Sequence, residues 1–458
     1  MRMPSLLNHS RPLACLSTAR LVPSPPDLVK WIRREGGFLH DSVRVSPLED
    51  EKQVVGLGLG LVALDDIAKG TELIALPPHI PLRFECGARD DDSLLVDLAR
   101  HIPEELWQMK LGLKLLQERA RTGSFWWPYI SNLPETFSVP IFFSGEDIKE
   151  LQYAPLVHQV NKRCRFLHEL EKVIKCKFEN VEREAHPFGG QKVDASSLGW
   201  AMSAVSSRAF RLHGIKQRNG SCTNIPMLLP LIDMCNHSFT PNAEIVQETE
   251  GSMLVKVIAE SEIKRGDPLE LNYGRLNNDL FLLDYGFIVP SNPYDCVEVK
   301  YDIDLLQAAA TYATTDDRGI HFSHASWKNK YLSLLNLAGE KSDLKVRIGG
   351  SEVVEDRLLA ALRILLSHDY DDHDTAESFN LDALKSLTYA SPVDADAFRV
   401  LIALCVIALH GFPTKITEDE KTLLEGKLSQ TTELAVRYRL QKKGIIVSAI
   451  RDLNTRLK

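Results

Sequence analysis

The sequence contains no Cys-x-x-Cys pair, although it has eight cysteines. A four-ligand structural zinc site needs closely spaced cysteine pairs, and a disulfide framework needs cysteines at regular spacings. Neither pattern is present, so we predict no metal site, no disulfide framework and a reducing compartment for the folded chain. The scattered cysteines are Cys15, Cys86, Cys164, Cys176, Cys222, Cys235, Cys296 and Cys405.

Long apolar runs, basic blocks and several common catalytic motifs are also missing. No stretch approaches the roughly 20 apolar residues that span a bilayer, and the formal net charge of -8 comes without a long basic block. Membranes and nucleic acids are therefore not expected partners. The chain has no Gly-x-Ser-x-Gly, His-Glu-x-x-His or Gly-x-x-x-x-Gly-Lys-Ser/Thr motif, so nothing points to a covalent nucleophile, a catalytic metal or a phosphate-binding loop.

Acidic residues are absent from the first 26 positions, which contain Arg2, Arg11 and Arg20 among serines and prolines. This composition is typical of an organelle transit peptide, which we predict over residues 1–26. We favour the plastid (chloroplast). The mitochondrion is an alternative, as is the cytosol if the segment is only an N-terminal tail.

A chain of 458 residues is long for one core, so more than one domain is expected. Strands are predicted over Gly60–Leu64 and Glu72–Leu76, and β-sequence returns as a hairpin after Ala243. Helical periodicity dominates residues 92–212 and the chain after about residue 301. Two β blocks split by helices do not fit a doubly wound sheet. We predict an α+β domain over residues 27–299 with a helical insertion at 92–212, followed by an all-helical domain over 300–458.

Two predicted helices near the ends of the chain carry specific expectations. Asp27 follows two prolines and should cap a short helix that ends at Arg33. A long helix is predicted over Thr417–Leu457, where Thr417 and Glu420 have the spacing of a capping box. Four basic residues of this last helix would share a face that could meet an acidic substrate, with a plain solvated surface as the default. They are Arg437, Arg439, Lys442 and Lys443.

Gly58-Leu59-Gly60 precedes a predicted strand and is the first candidate ligand-binding element. Glycines allow backbone N–H and C=O groups to approach a ligand closely. The spacing up to Ala63 also fits a dinucleotide fingerprint, which requires a helix next and an acidic residue about 20 positions later. A second strand follows instead and Pro78–Pro81 contains no acid, so a dinucleotide site is not predicted. A plain tight turn remains the alternative.

A second candidate segment lies just before Pro241. Asn236 offers an amide and His237 an imidazole, and a polar pair at a proline-terminated break is poorly suited to a core. Asp233, three residues earlier, would either serve the same site or brace the turn. A histidine satisfied within the structure is the ordinary alternative.

Ser207 and Arg208 close the helix that contains Trp200. Arginine is the residue best suited to bidentate recognition of a carboxylate. The alternative is a surface arginine whose aliphatic stem covers the end of an apolar helical face.

Tyr273 and Tyr285 follow the second β block. Each one alone fits a half-buried strand residue. Suppose that the reaction is methyl transfer from a sulfonium to a lysine amine. The amine must then first lose its proton, although the unperturbed pKa of lysine is about 10.4. Desolvation and a nearby positive sulfur lower the pKa of such an amine. A phenol can then orient its lone pair, and in-line geometry supplies much of the rate.

In this order, the blocks resemble those of SET-domain methyltransferases, and the chain resembles the plant Rubisco large-subunit methyltransferases in particular. The matching segments are 58–64, 133–152, 206–210, 236–238 and 284–287. The resemblance implies a knotted SET fold, an exception to the rule that chains avoid threading. It also implies that a protein substrate docks on the C-terminal helical domain.

The resemblance further assigns roles to individual residues. It implies S-adenosyl-L-methionine as methyl donor, with Arg208 holding its carboxylate and with Asn236 and His237 contacting its amine and adenine. Tyr285 matches the catalytic tyrosine of the family, and Tyr273 is the second catalytic candidate. The candidate donor-binding residues are Gly58, Leu59, Gly60, Ser207, Arg208, Asp233, Asn236 and His237.

We therefore predict a protein-lysine N-methyltransferase that acts on a non-histone protein. One alternative is a histidine acceptor, as in the SET protein that methylates actin. That relative lacks a tyrosine at the position of Tyr285, which favours lysine here. A second alternative, from another class, is a non-catalytic SET scaffold within an organellar complex.

Overall fold

The computed structural model describes residues 21–47, 59–84, 93–213, 224–248, 254–313, 320, 322, 326–337, 344–367 and 392–458. The chain divides into two units. The first comprises Met1–Gly145, His158–Gly274 and Leu280–Phe287, and the second comprises Glu146–Val157, Arg275–Asp279 and Ile288–Lys458. Each unit is therefore built from three segments that alternate along the chain. The boundary predicted from the sequence is a single point between residues 299 and 300.

The β-strands are short and most of them lie in the first unit. In chain order they are β1 (Phe38–Leu39), β2 (Val43–Pro47), β3 (Leu59–Ala63), β4 (Glu72–Leu76), β5 (Leu82–Arg83), β6 (Ala209–His213), β7 (Asn224–Leu228), β8 (Asn236–His237), β9 (Ala243–Gln247), β10 (Val255–Ala259), β11 (Glu270–Leu271), β12 (Cys296–Lys300) and β13 (Lys345–Gly349).

Helices are present in both units. They are α1 (Pro25–Arg34), α2 (Ser93–Ala99), α3 (Gln108–Ala120), α4 (Trp127–Ile130), α5 (Gly145–Glu150), α6 (Ala154–Phe178), α7 (Ala195–Arg208), α8 (Asn278–Leu280), α9 (Ile303–Ala313), α10 (Ser326–Leu334), α11 (Asp356–Leu366), α12 (Pro392–His410), α13 (Ile416–Glu425) and α14 (Gln430–Arg456). Among the described helices, none has both the length and the apolarity of a membrane span.

The main sheet of the first unit joins the two predicted β blocks. Its order is β1-β4-β10-β9, with antiparallel neighbours. Val257 in β10 lies opposite Ile74 in β4 and opposite Ile245 in β9. Alternate residues of β10 are buried, as expected for a strand with one face on a core. The helical insertion therefore interrupts the chain but not the sheet, and β4 has the predicted bounds.

Helix α1 begins two residues earlier than predicted. The Ser24 hydroxyl donates to the Asp27 carboxylate at 2.7 Å, and the backbone N–H groups of Asp27 and Leu28 donate to the Ser24 carbonyl. Ser24 therefore precedes the helix and Asp27 lies in its first turn. The prediction that Asp27 caps the helix was wrong. Leu21, 3% exposed, already belongs to the core. Leu21 lies within the segment predicted as a transit peptide, and residues 1–20 of that segment lie outside the described residues.

The second unit is mainly helical but contains a two-stranded antiparallel sheet. Strand β12 pairs with β13, and Val297 lies opposite Ile348. Both of these side chains are buried. The prediction of an all-helical domain was wrong at this point, because each strand has only five residues and its partner lies far along the chain.

The predicted helix over Thr417–Leu457 is two helices. Gly426, with a φ of 65°, ends α13, because glycine adopts this left-handed conformation without a Cβ penalty. The Glu418 carboxylate accepts a hydrogen bond from the Lys415 N–H at 2.7 Å. The predicted capping box at Thr417 and Glu420 was therefore wrong.

The predicted basic face of the last helix is mostly buried. Arg437 is on the surface, where it pairs with Glu433. Arg439, Lys442 and Lys443 are 2%, 0% and 1% exposed. Three of the four basic residues thus stabilise the interior, and their interpretation as a surface for an acidic substrate was wrong.

Buried ion pairs neutralise these three cations. Asp419, which is completely buried, pairs with Arg439 at 2.9 Å and also with Lys443. Lys442 pairs with Asp295 at 2.7 Å. Charges of this kind are tolerated in an interior only when a partner and hydrogen bonds compensate for lost hydration.

Asp419→Asn should lower the free energy of unfolding by about 3–5 kcal/mol, because two buried cations then lose a shared anion. Chemical denaturation of the full chain measures this. The control is Glu420→Gln at the next position, which is exposed and should change stability by less than about 0.5 kcal/mol. Equal stability of the two variants would contradict the assignment.

Candidate functional site

Backbone pairing brings the two β blocks of the candidate site together. The Leu269 N–H donates to the Leu61 carbonyl at 2.8 Å, and the Leu269 carbonyl accepts from the Asn236 N–H at 3.1 Å. Strands β8 and β11 then run parallel, with His237 opposite Leu271. The strand that carries Leu59 and Gly60 is thus joined through Leu269 to the Asn-His pair. Gly58 lies outside the described residues.

A strained turn directs Asp233 into the interior. Leu231 has a φ of 70° and a ψ of -47°, a conformation that is costly for a residue with a branched side chain. Its side chain is completely buried, so packing holds the strained backbone in place. The Asp233 N–H donates to the Leu229 carbonyl at 3.0 Å and closes the turn.

Asp233 is a buried carboxylate held by a tyrosine and an arginine. The Tyr129 hydroxyl donates to Asp233 Oδ2 at 2.6 Å. Arg208 Nη1 donates to the Asp233 carbonyl at 3.0 Å and lies 3.7 Å from Oδ2. Burial raises the pKa of Asp233 to about 6, although Arg208 and the Tyr129 hydrogen bond oppose the rise. Burial likewise raises the pKa of the Tyr129 phenol above its ordinary value.

His237 lies in an aromatic cluster. Its ring centroid is 4.6 Å from that of Phe239, 4.8 Å from that of Phe281 and 5.2 Å from that of Tyr273. The Tyr273 N–H donates to His237 Nδ1 at 3.2 Å, so the neutral ring carries its proton on Nε2. Burial lowers the pKa of His237 and favours this neutral form.

The two candidate catalytic tyrosines stack on each other. Their ring centroids are 5.1 Å apart with an interplanar angle of 22°. The Tyr273 hydroxyl donates to the Cys235 carbonyl at 2.5 Å. The Tyr285 hydroxyl makes no hydrogen bond to any described residue. Burial raises the pKa of both phenols, so both are neutral at physiological pH, and of the two hydroxyl groups that of Tyr285 remains available to a ligand.

Several buried polar atoms of this region have no hydrogen-bond partner among the described residues. They are the Arg208 Nε, the Asp233 Oδ1, the His237 Nε2 and the Ser206 Oγ. An unsatisfied buried polar group costs about 1–3 kcal/mol, so a ligand that bonds with them is favoured. Asp233 offers an acceptor, whereas Arg208 and His237 offer donors. An amino-acid group with adjacent ammonium and carboxylate has the complementary chemistry, and S-adenosylmethionine contains such a group. These residues therefore fit S-adenosylmethionine.

The structure brings most of the predicted site residues into one region. Ser207 differs, because its hydroxyl donates to the Ser203 carbonyl at 2.8 Å within α7, whereas the neighbouring Ser206 hydroxyl is the unpartnered one. The roles of these residues remain predictions. Backbone pairing, hydrogen bonds and ring contacts bring eight of the predicted site residues together. They are Leu59, Gly60, Arg208, Asp233, Asn236, His237, Tyr273 and Tyr285.

Sequence reasoning missed part of the site. Tyr129 is not among the predicted site residues, although its hydroxyl bonds to Asp233, which lies 104 residues away. Phe239 and Phe281 were not singled out, although both pack on the His237 ring. Phe239 lies two residues after His237 in the sequence, and this closeness was the only local signal that could have indicated its contact with the His237 ring.

The raised pKa of Asp233 predicts a pH-dependent stability. The folded state holds more protons than the unfolded state between pH 3.8 and about 6, so the contribution of Asp233 to the free energy of unfolding falls as pH rises through this window. At about 1.4 kcal/mol per pKa unit, the fall is about 3 kcal/mol.

Asp233→Asn removes this titration and keeps an acceptor for Tyr129. Urea denaturation from pH 4 to pH 7.5 should therefore show the stability of the unsubstituted chain, relative to the variant, falling by about 2 kcal/mol, because part of the titration lies below pH 4. Parallel pH profiles for the two proteins would contradict the buried, perturbed carboxylate.

Two family models match the chain. The SET domain model matches residues 58–274, and the Rubisco LSMT substrate-binding model matches residues 323–446. Among curated proteins, the chain is similar to the actin-histidine N-methyltransferase of Callithrix jacchus, with 25% identity over 93% of this chain and 68% of the relative. The Homo sapiens actin-histidine N-methyltransferase is 24% identical over the same shares.

Solved structures match nearly the whole chain. The SET domain of LSMT bound to lysine and AdoHcy has a TM-score of 0.64 and 21% identity, and the match covers 94% of this chain and 91% of that structure. Rubisco LSMT bound to AdoMet has a TM-score of 0.63 and 21% identity, with coverage of 95% and 93%. The α+β fold predicted from the sequence is confirmed. The chain thus contains a SET domain over residues 58–274 and a C-terminal substrate-binding domain of the Rubisco LSMT type over residues 323–446.

Proposed function

We propose that this chain is an S-adenosylmethionine-dependent protein methyltransferase that acts on a lysine side chain of a non-histone protein. The observation that carries the proposal is the Tyr285 phenol. It is neutral, it makes no hydrogen bond to any described residue, and its ring stacks on Tyr273 at 5.1 Å. Tyr273 in turn packs on His237, whose Nε2 is buried and unpartnered. A free phenol beside a set of unpartnered donor-site atoms is what methyl transfer to an amine requires.

The donor would be held by the unpartnered polar atoms of the site. When bound, S-adenosylmethionine supplies a methyl group on a positively charged sulfur. Arg208 would hold its carboxylate, and Asn236 and His237 would contact its amine and adenine. Asp233 keeps Arg208 oriented through the hydrogen bond to its own carbonyl at 3.0 Å. The strand with Leu59 and Gly60 would lie along the donor with little side-chain obstruction at the glycine.

Tyr285 would act on the acceptor amine. Its phenol can accept or donate a hydrogen bond without carrying charge, and so can orient an amine lone pair toward the methyl group. The surrounding rings of Tyr273, Phe281 and Phe287 lie 5.1, 5.8 and 5.9 Å from the Tyr285 ring. These rings would exclude water from the bound amine, which disfavours its ammonium form and removes competing hydrogen bonds.

A histidine acceptor is the second candidate. The names of the curated relatives at 24–26% identity support it, because they describe actin-histidine N-methyltransferases. Lysine is favoured by the Tyr285 phenol, because a neutral hydroxyl without a hydrogen bond to any described residue can orient an amine lone pair. A non-catalytic scaffold is disfavoured because such a protein gains nothing from burying unpaired polar atoms at a donor site. The protein substrate would dock on the domain that contains residues 323–446.

Tyr285→Phe should reduce methyl transfer at least about 100-fold, since the phenol that orients the amine is lost. Donor affinity, measured by calorimetry with S-adenosylmethionine, should remain within about twofold, because the donor-site atoms are unchanged. The control is Tyr312→Phe, which alters a tyrosine that is 64% exposed. Full activity of the Tyr285 variant would refute the role. Absence of donor binding by the unsubstituted chain would favour the scaffold.

The acceptor and the compartment can be tested together. We propose a plastid location, on the acid-poor composition of residues 1–26. The purified chain is incubated with labelled donor and either plastid stromal or mitochondrial extract, and labelled proteins are analysed by mass spectrometry. We expect methyl-lysine in a stromal protein. Methyl-histidine would establish the second candidate, and label confined to the mitochondrial extract would contradict the plastid.

A further inference from the structure

The turn that carries Tyr285 is irregular and held from two sides. Phe281–Tyr285 forms one π-helical turn, which ends at Gly286 with a φ of 80° and a ψ of 20°. Single π turns are rare and persist where surrounding contacts favour them. On one side, a Cβ on Gly286 would lie 2.9 Å from the Ser138 carbonyl carbon and oxygen. The end of the turn is therefore packed directly on backbone and admits only glycine.

Arg163 holds the other side of the turn. This residue of α6 donates from Nη1 to Asp284 Oδ1 at 2.7 Å and to the Leu283 carbonyl at 3.3 Å. The Arg163 side chain is 10% exposed and that of Asp284 is 15% exposed. One guanidinium group thus binds the residue next to Tyr285 and a backbone carbonyl of the same turn.

The burial of this pair separates it from ordinary surface ion pairs. Exposed pairs contribute little, whereas removing one partner of a buried pair leaves a charge without compensation. Without Arg163, the Asp284 carboxylate would have to turn toward water and the Leu283 carbonyl would lose this donor. Both adjustments move the backbone on which Tyr285 is built.

The Tyr285 hydroxyl has no hydrogen bond of its own to correct such a movement. Only the backbone of the turn and the packing of its ring fix its position among the described residues. Reacting groups must be held closely, and a displacement of about 1 Å can cost about 100-fold in rate. The accuracy with which the Tyr285 hydroxyl is positioned therefore depends on the turn that carries this residue.

We propose that Arg163 is a positioning residue, which fixes the π-helical turn through Asp284 and the Leu283 carbonyl so that the Tyr285 phenol points into the transfer site. The chemical purpose of this arrangement rests on the proposed methyltransferase function. The mechanical part, that Arg163 sets the environment of Tyr285, does not.

The first test compares Arg163→Gln with Arg165→Gln in the full chain. Arg165 is exposed on the same helix and undergoes the same chemical change. Arg163→Gln should lower kcat about 10–100-fold with donor affinity within about twofold, and Arg163→Lys should restore part of the loss because it keeps the charge. A kcat for Arg163→Gln equal to that of Arg165→Gln would overturn the inference, as would an equal loss of donor affinity and kcat.

The second test reads the Tyr285 ring without any transfer reaction. The chain is labelled with 3-fluorotyrosine, and the ¹⁹F resonance of Tyr285 is identified by its absence from Tyr285→Phe. Arg163→Gln should shift or broaden this resonance and leave that of Tyr438, buried in the other unit, unchanged. A Tyr285 resonance that coincides with that of the unsubstituted chain would overturn the inference.

A second variant guards against loss of folding. Asp284→Asn keeps the shape of the side chain, should perturb the same resonance, and should lower kcat in the same direction. If the two substitutions act through one contact, the double variant should lose little more than Arg163→Gln alone, and fully additive losses would overturn the inference. A shifted resonance in a protein without methyltransferase activity would refute the proposed function but not the positioning role.

Discussion

Leu269 joins the two halves of the site through its backbone. Its N–H donates to the Leu61 carbonyl and its carbonyl accepts from the Asn236 N–H, so Leu269 links the glycine-containing strand to the Asn-His strand. Its own side chain is completely buried, and a buried backbone group that loses its partner is costly. The proximity of Gly60 to the Asn236–His237 pair therefore does not depend on the side chains of these residues. Those side chains remain available for a ligand.

Buried charges are treated differently in the two units. In the second unit, Asp419 is bonded by both Arg439 and Lys443, so each of these buried charges has a partner of opposite sign. In the first unit, Asp233 and Arg208 touch, yet one oxygen and one nitrogen of the pair have no partner. Interiors rarely leave such groups unsatisfied. This contrast is the physical reason to place a polar ligand at Asp233 and Arg208, and not at Asp419 and its two cations.

Local sequence determined the elements and the order of the site blocks. Strand β4 has its predicted bounds, Glu72–Leu76, because a short apolar run between two turns has one favourable conformation. Helix α7 ends at Arg208 as predicted. Asn236, His237 and Tyr285 were predicted from motif and order along the chain, and the α+β class followed from two β blocks split by helices. All of these depend on residues that are close in the chain.

Only the tertiary structure decided which polar groups are satisfied. A basic helix face such as that of Lys442 has the same sequence pattern whether it meets solvent or buried aspartates. Ser206 and Ser207 are the same residue type, yet only the Ser207 hydroxyl donates to a backbone carbonyl of its own helix, that of Ser203. Tyr129 and Arg163 meet Asp233 and Asp284 across more than a hundred residues. Sequence determined local conformation and chemistry, whereas burial and long-range pairing, which no short window contains, decided which of these groups a ligand can use.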